Sequence, residues 1–448
     1  MSSPFQGAIN YILSLDDYSK ISHDTLSAES FNLERVRGLL KSLDNPHQAF
    51  PVVHIAGTKG KGSTAVLLAS ALQEAGFKTG LYTSPYLSNA LEQIRIGRDV
   101  IPEDEFSALV DRMKPFLVSD QEVTFFEAMT ALAFLYFKDK AIDIAIIETG
   151  LGGLTDATNV VEPIISVITS ISFDHSQILG DTIESITRHK AGIIKPGHPV
   201  LLGKQAFPQV PVLIKEIALQ SKAEYCSVDE MVSIQPLKHN LEHQTFELEI
   251  MEKKQQNSWS GQYSLSLLGR HQIENAALAV CCLMKLSELG LKVDPYDVRQ
   301  GWKKIQWPCR FEVIQQDPFI VLDGAHNVDS MVRLREAIQD YLPVYKIIFV
   351  YGASLDKDIK GMLKIIGSKV AKIIFTTSGH PRAADPMKLV ELGREMNLQS
   401  DNASDVALAL KKAAGSVEKD GYAIVVTGSL HVAAAARQIL LENKQVDE

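Results

Sequence analysis

One rhythm constrains this chain more than any other feature: a short apolar run, a turn, then an amphipathic helical stretch, repeated many times. PVVHIA (51–56), TGLYT (79–83), DIAIIE (143–148) and IISVIT (164–169) are apolar nearly throughout rather than alternating. Such strands are buried on both faces, which calls for a mostly parallel sheet covered by helices. Between them, STAVLLASALQEAG (63–76) predicts a helix stopped at Gly76. Pro102 with Glu103, Asp104 and Glu105 opens another, with proline in the first turn and acids at the positive dipole end. Long helices follow at 125–138 and 271–289, the latter ending at Gly290. Residues 245–268 alternate instead (TFELEI, YSLSLL), the period of a small antiparallel insert. A second α/β series begins near Phe311: FEVI, FIVLD, KIIFVY, KIIFTT and YAIVVT, separated by helical stretches. At 448 residues the chain exceeds one ordinary core, and the boundary is expected near Lys304–Pro308.

Composition removes several functions. The net charge of −9 argues against general nucleic-acid binding, which carries a basic footprint. A local loop can still bind a small anion. Cys226, Cys281, Cys282 and Cys309 form no CxxC pair, which argues against zinc and a disulfide framework and fits a reducing compartment. The first twenty residues lack a basic region followed by an apolar one, so no secretory signal is expected. The most apolar helix, around Ala128–Phe137, stops at Lys138, too short to span a bilayer. The expectation is a cytoplasmic protein with neither nucleic-acid nor membrane partners.

The strongest local signal is Gly57-Thr58-Lys59-Gly60-Lys61-Gly62-Ser63, between a predicted strand and a predicted helix. Its glycines permit a tight turn and close backbone approach. The first N–H groups of the helix face outward at the positive dipole end. Lys61 adds a point charge for the β- and γ-phosphates. The usual phosphate loop has Ser or Thr directly after the lysine; here Gly62 intervenes. By itself the loop implies only use of a nucleoside triphosphate.

Other candidates gather at strand ends, where ligands bind in open α/β sheets. Glu148 ends DIAIIE and is suited to Mg²⁺, directly or through water. The next strand leads to Asp174-His175, a metal or phosphate candidate beside Glu148. Lys190, in TIESITRHKAGII, reads on residue type alone as a solvated helix lysine. GLGGLTDATN (150–159) is either a polar ligand loop or a glycine-rich connection. Phe125 and Phe126 read first as core aromatics. In the second series Asp323 follows FIVLD and is suited to a ribose or a cation, while Arg310 is either a phosphate-reaching cation or a surface arginine.

Taken together, HIAGTKGKGST (54–64), TSPYL (83–87), TFFEAMTALAFLYF (124–137), ETGLGGLTDATNVV (148–161), ITSISFDHSQILGDT (168–182), HKAGIIKPG (189–197), GRHQIENAALA (269–279), RFEVI (310–314), LDGAHN (322–327), HPRAADP (380–386) and TGSLH (427–431) resemble one family. It is that of the folylpolyglutamate and dihydrofolate synthases, relatives of the Mur ligases. The likeness covers nearly the whole chain. It implies an N-terminal P-loop ATPase-like domain with a mostly parallel sheet over 1–305, a small β insert near 230–268, and a C-terminal Rossmann-like glutamate-ligase domain over 308–448. It implies a reaction as well: ATP phosphorylates a carboxylate of dihydropteroate or a reduced folate, and L-glutamate attacks the acyl phosphate. ATP and Mg²⁺ are the implied cofactors, small molecules the partners, and a monomer the expected state.

Carried over by position, the resemblance implies ATP binding by Gly57, Thr58, Gly60, Lys61, Gly62, Ser63, Asn275, Arg310, Asp323 and His326. It implies Mg²⁺ ligation by Ser84, Glu148 and His175. It makes Lys61, His175 and a carboxylated Lys190 catalytic, reversing the plain reading of Lys190. It implies acid-substrate contacts by Thr124, Phe125, Phe126, Glu127, Thr155, Asp156 and Ala157. Four positions depart from the family pattern: Tyr86 for histidine, Leu154 for arginine, His189 for glutamate and Cys309 for glycine. Three of them fall near the substrate loops or Lys190, so the same chemistry on another carboxylate is the main alternative. A plain phosphate-loop NTPase or phosphotransferase is the other.

Overall fold

The computed structural model describes residues 3–18, 20, 31–117, 123–251, 257–367, 370–417 and 421–447. They divide into two compact units. The first comprises 1–236, 246–264 and 272–305; the second comprises 237–245, 265–271 and 306–448. The division at 305/306 lies beside the expected boundary, and two short segments of the insert region group with the second unit.

The first unit is built on an eight-stranded sheet. Its strands are β1 (Val52–Ala56), β2 (Thr79–Tyr82), β3 (Ile94–Ile96), β4 (Asp99–Val100), β5 (Ile144–Glu148), β6 (Ile165–Ile168), β7 (Val200–Leu202) and β8 (Tyr225–Ser227). The order is β4-β3-β2-β5-β1-β6-β7-β8. Pairing is parallel from β2 to β8, and β3 and β4 add an antiparallel edge. Every residue of β1, β2, β5 and β6 is buried, as their unbroken apolar character demands. The helices are α1 (Pro4–Leu13), α2 (Leu33–Ser42), α3 (Lys61–Glu74), α4 (Glu103–Leu117), α5 (Phe125–Asp139), α6 (Ser176–Leu179), α7 (Ile183–Ala191), α8 (Gln209–Gln220), α9 (Val228–Met231), α10 (Arg270–Glu288) and α11 (Pro295–Trp302). One core joins α1, α2, α4 and α5 to the sheet; another lies among β6, β7, α7 and α8.

Local chemistry sets the helix limits. Gly76 has φ +90°; its N–H reaches Gln73 O and that of Phe77 reaches Leu72 O, so α3 closes in a Schellman motif. Thr124 and Glu127 form a capping box at the start of α5. Among the described residues the insert region holds β9 (Val232–His239), β10 (Gln244–Ile250) and β11 (Gly261–Leu265), in the order β11-β10-β9, so the sheet begins before the alternating stretch at 245–268.

The second unit carries a six-stranded sheet in the order β12-β13-β17-β14-β15-β16. Its strands are β12 (Glu312–Gln316), β13 (Phe319–Leu322), β14 (Lys346–Tyr351), β15 (Val370–Phe375), β16 (Ser400–Asn402) and β17 (Tyr422–Thr427). All pairs are parallel except β12 with β13. Helices α12 (Val328–Tyr341), α13 (Ile359–Ile366), α14 (Pro386–Glu395), α15 (Val406–Gly415) and α16 (Leu430–Asp447) connect the parallel strands and end the unit. The molecule is thus a two-domain α/β protein. Among the described residues no helix is long and apolar enough to cross a membrane.

Candidate active site

The phosphate loop joins β1 to α3. Gly57 has φ +152°, and a Cβ there would fall 1.8 Å from Thr169 Oγ1. Gly60 has φ +86°, and its Cβ would fall 2.3 Å from Asn275 Oδ1. Glycine is therefore required twice, once for contact with the end of β6 and once for contact with α10. The loop is strapped down: Thr58 N–H donates to Ser170 O (2.8 Å) and Thr58 Oγ1 to Ser172 O (3.0 Å). Because Gly60 is the N-cap, α3 starts at Lys61, two residues earlier than the pattern suggests. Gly60 has no side chain to cap the helix, so the N–H groups of Lys61, Gly62 and Ser63 form an anion-ready first turn.

Two lysines converge on one carbonyl. Lys61 Nζ donates to Gly57 O at 3.3 Å, and Lys190 Nζ, reaching in from α7, donates to the same oxygen at 2.8 Å. Lys61 Nζ also lies 3.9 Å from Glu148 Oε1. Glu148 Oε2 accepts from the Ser84 N–H at 3.2 Å, which ties the ends of β5 and β2 together. Beside them Lys59 pairs with Asp174 at 2.8 Å. Asp174 immediately precedes His175, which caps the short helix α6 with φ +50°.

Lys190 is only 4% exposed. Burial pushes its ammonium well below the ordinary lysine value; the Lys61 and Lys59 charges push the same way, while Asp174 and Asp156 resist. This lysine is therefore not a solvated surface group but a poised amine at the phosphate loop.

The segment 150–159 is ordered and pinned. Leu154 N–H donates to His189 O at 2.8 Å, and Asn159 Nδ2 donates to Leu154 O (3.0 Å) and Gly192 O (3.1 Å). A Cβ on Gly153 would meet the His189 and Lys190 carbonyls at 2.9 Å, so the loop lies directly on the last turn of α7. Asp156 is buried; its carboxylate accepts from Leu151 N–H (2.7 Å), Thr158 N–H (3.0 Å) and the Thr158 hydroxyl. Burial raises it above an ordinary aspartate. Thr158 Oγ1 in turn meets His54 Nε2 at 2.8 Å.

The 124–127 candidates are largely committed to the scaffold. Phe125 is buried against Tyr86, with ring centroids 6.2 Å apart. Phe126 packs beside Tyr82 and over Gly150, whose Cβ would lie 2.6 Å from its ring. The Glu127 carboxylate accepts the Thr124 N–H (2.8 Å) and pairs with Arg35 at 3.0 Å.

Arg310, Asp323 and His326 belong to the second unit and form their own cluster. Asp323 is half-buried just after β13 and accepts from Phe311 N–H (2.9 Å) and Ala325 N–H (2.8 Å). Burial raises its carboxyl, and the Arg310 guanidinium opposes that rise. His326 Nδ1 lies 2.8 Å from Gly324 O. Cys309, where the family has glycine, holds φ +58°, a conformation that glycine adopts freely.

The donors at the first unit's strand ends fit magnesium. Glu148 offers a hard carboxylate, and the buried hydroxyls of Thr64 and Thr149, in α3 and next to Glu148, have no hydrogen-bond partner. Among the described residues no group of three or more His, Cys, Asp or Glu could hold a metal ion. Mg²⁺ commonly binds one or two carboxylates together with phosphates and waters.

Sequence reasoning missed Lys59–Asp174, Arg35–Glu127 and His54–Thr158. Each had a faint signal: a second lysine in the loop, an arginine in a polar helix, a histidine in an apolar strand.

Comparison with known proteins agrees with this architecture. The model of the Mur ligase middle domain matches residues 55–283, and that of the Mur ligase glutamate ligase domain matches 309–430. The chain is 35% identical over 416 residues to a dihydrofolate synthase/folylpolyglutamate synthase of Bacillus subtilis, covering 91% of this chain and 94% of that protein. It is 33% identical over 425 residues to the folylpolyglutamate synthase of Lacticaseibacillus casei, covering 93% and 96%. The Mycobacterium tuberculosis folylpolyglutamate synthase structure complexed with ADP superposes with a TM-score of 0.85 at 27% identity over 98% of each chain. A phosphate loop, its lysines and Glu148 at the strand ends, with a separate glutamate-ligase domain, mark this chain as a Mur ligase family member, an ATP-dependent amide-forming ligase of the folylpolyglutamate/dihydrofolate synthase group.

Proposed function

We propose that this ligase adds L-glutamate to dihydropteroate, to reduced folates, or to both. The observation that carries the chemistry is the meeting of Lys61 and Lys190 on the Gly57 carbonyl beside Glu148. The names of the relatives carry the choice of acid. A carboxylate oxygen of the acid attacks the γ-phosphorus of ATP, and ADP leaves. The glutamate amine then attacks the acyl carbon, releases phosphate and loses its proton, leaving an amide. Such transfers need positioning and charge neutralisation rather than a protein nucleophile.

In this reading Gly57, Thr58, Gly60, Lys61, Gly62 and Ser63 cradle the phosphates. Asn275, Arg310, Asp323 and His326 complete ATP binding. Ser84, Glu148 and His175 would hold Mg²⁺, which would supply charge neutralisation for the phosphates. His175 would also have a catalytic role. Lys190 acts as its carbamate: the neutral amine nitrogen bonds to the carbon of CO₂ and releases a proton to solvent. Its depressed basicity supports this, because only the neutral amine reacts. Thr155, Asp156, Ala157 and the Thr124–Glu127 turn line the acid site, with Asp156 and Glu127 shaping it through their buried bonds.

The test is a substrate panel. Protein with ATP, Mg²⁺ and L-glutamate should release ADP only when dihydropteroate or a reduced folate is added. Mass spectrometry should show that acid gaining glutamyl units. Consumption of a different acid, with both of these unchanged, removes the folate assignment. ADP release without any acid favours a plain NTPase.

A further inference from the structure

His54 has no part in the chemistry above, yet it is fully buried in the middle of β1, between Val53 and Ile55. An imidazole in an apolar strand is costly unless its polar atoms are engaged. Its Nε2 lies 2.8 Å from Thr158 Oγ1. The Thr158 hydroxyl has one proton, and it is given to Asp156 Oδ1. The Thr158 oxygen therefore accepts from His54, which fixes the imidazole as its Nε2–H form. His54 Nδ1, which carries no proton in that tautomer, is buried without a hydrogen-bond partner among the described residues.

The resulting chain, His54 to Thr158 to Asp156, joins β1 to the 151–158 segment three residues before Gly57. Other anchors of that segment run to His189, Gly192 and Lys195, at and just beyond the end of α7, and at its start Thr149 N–H donates to Ile55 O of β1 at 2.9 Å. The His54–Thr158 bond adds a side-chain tie to β1 at the Asp156–Thr158 end of the segment, opposite the anchors on α7.

We propose that His54 is a positioning residue for the acid substrate: through Thr158 it holds Asp156, and with it Thr155–Ala157, in register with the phosphate loop. This rests on the acid-binding role given to that segment under the proposed function. An apolar residue at 54 leaves the Thr158 oxygen without its donor and loosens the Asp156–Thr158 end of the segment from β1. ATP binding, which depends on the loop backbone and α3, is spared.

Steady-state KM values for the acid and for ATP test this in the full chain, with wild type assayed first. Absence of wild-type turnover with dihydropteroate and reduced folates counts against the proposed function, and the same ratios are then read on whichever acid is consumed. His54→Leu should raise the acid KM by about tenfold, the scale of one buried hydrogen bond, and leave the ATP KM within about twofold. His54→Gln, which keeps an N–H donor, should restore most of the loss. Thr158→Val, which also removes the bond to Asp156, should raise the acid KM at least as much as His54→Leu, and the double variant should be no worse than Thr158→Val alone. An unchanged acid KM in folded His54→Leu overturns the proposal. So does an equal rise in both KM values, or a glutamine variant no better than leucine. If His54→Leu does not fold, Thr158→Val against Thr158→Ser decides by the same criteria.

Discussion

Replacing His54 with glutamine exchanges a titratable buried donor for one that keeps its hydrogen bond at every pH. Burial, reinforced by the Lys195 charge, pushes His54 down to about 3, against about 6.5 in an unfolded chain. Between those values the unfolded chain takes up a proton that the folded one refuses. Stability present above pH 6.5 is therefore lost as pH falls toward 3. From pH 7.5 to pH 5.0 the loss from this residue is about 2 kcal/mol: about 1.5 pH units below 6.5, at about 1.36 kcal/mol each. Other titrating groups are common to both proteins and cancel in the difference. The assay is urea unfolding of wild type and His54→Gln at the two pH values, followed by tryptophan fluorescence; Trp259 and Trp302 both lie in the first unit. Wild type should lose about 2 kcal/mol more than the variant on acidification. Parallel losses, within about 0.5 kcal/mol, refute a His54 held neutral by burial.

Four further outcomes are expected. Lys61→Ala should lower turnover by at least about a hundredfold, the scale of a removed transition-state donor; substantial residual activity sinks the phosphate-loop role. Wild-type activity should fall in CO₂-depleted buffer and return with bicarbonate, while Lys190→Arg should be inactive in both; indifference to CO₂ together with an active arginine variant excludes the carbamate. Gly57→Ala places a Cβ 1.8 Å from Thr169 Oγ1, so thermal-shift titration should show nucleotide stabilisation largely lost, and an unchanged shift contradicts the close packing. Glu148→Gln should raise the Mg²⁺ concentration for half-maximal activity by roughly tenfold; an unchanged Mg²⁺ titration removes Glu148 from the metal site.

The central strands of the first unit were legible because burial on both faces leaves an unbroken apolar run. β1, β2, β5 and β6 fall within a residue of their expected limits, and Gly76 and Gly290 mark the ends of α3 and α10. β7, β8 and β16 were not legible: each is three residues long and takes its strand form from a neighbour rather than from its own pattern. α3 begins at Lys61 rather than Ser63 because Gly60, at φ +86°, turns the chain into the helix; a glycine run does not say which member does so. Among the site residues, Glu148 and Lys61 were visible from strand-end and loop logic. The commitment of Glu127 to Arg35 was not, since the partners stand 92 residues apart.

The chain's own order of apolar runs, glycines and charges determined a two-domain α/β protein with a phosphate loop after its first sheet strand. It also determined where Lys61, Glu148 and Asp323 stand, because Lys61 opens the helix after β1, Glu148 ends β5 and Asp323 directly follows β13. Tertiary structure decided the surroundings of Lys190, which only the family resemblance had singled out, and of His54, which nothing in the sequence had. A lysine in an amphipathic helix and a histidine in an apolar strand carry no mark of function by themselves. Burial and the charges of Lys61 and Lys59, outweighing the opposing charges of Asp174 and Asp156, all gathered from remote parts of the chain, turn Lys190 into a poised amine. A threonine 104 residues away gives His54 its partner. Desolvation and charge are sums over spatial neighbours, and only the fold says who those neighbours are.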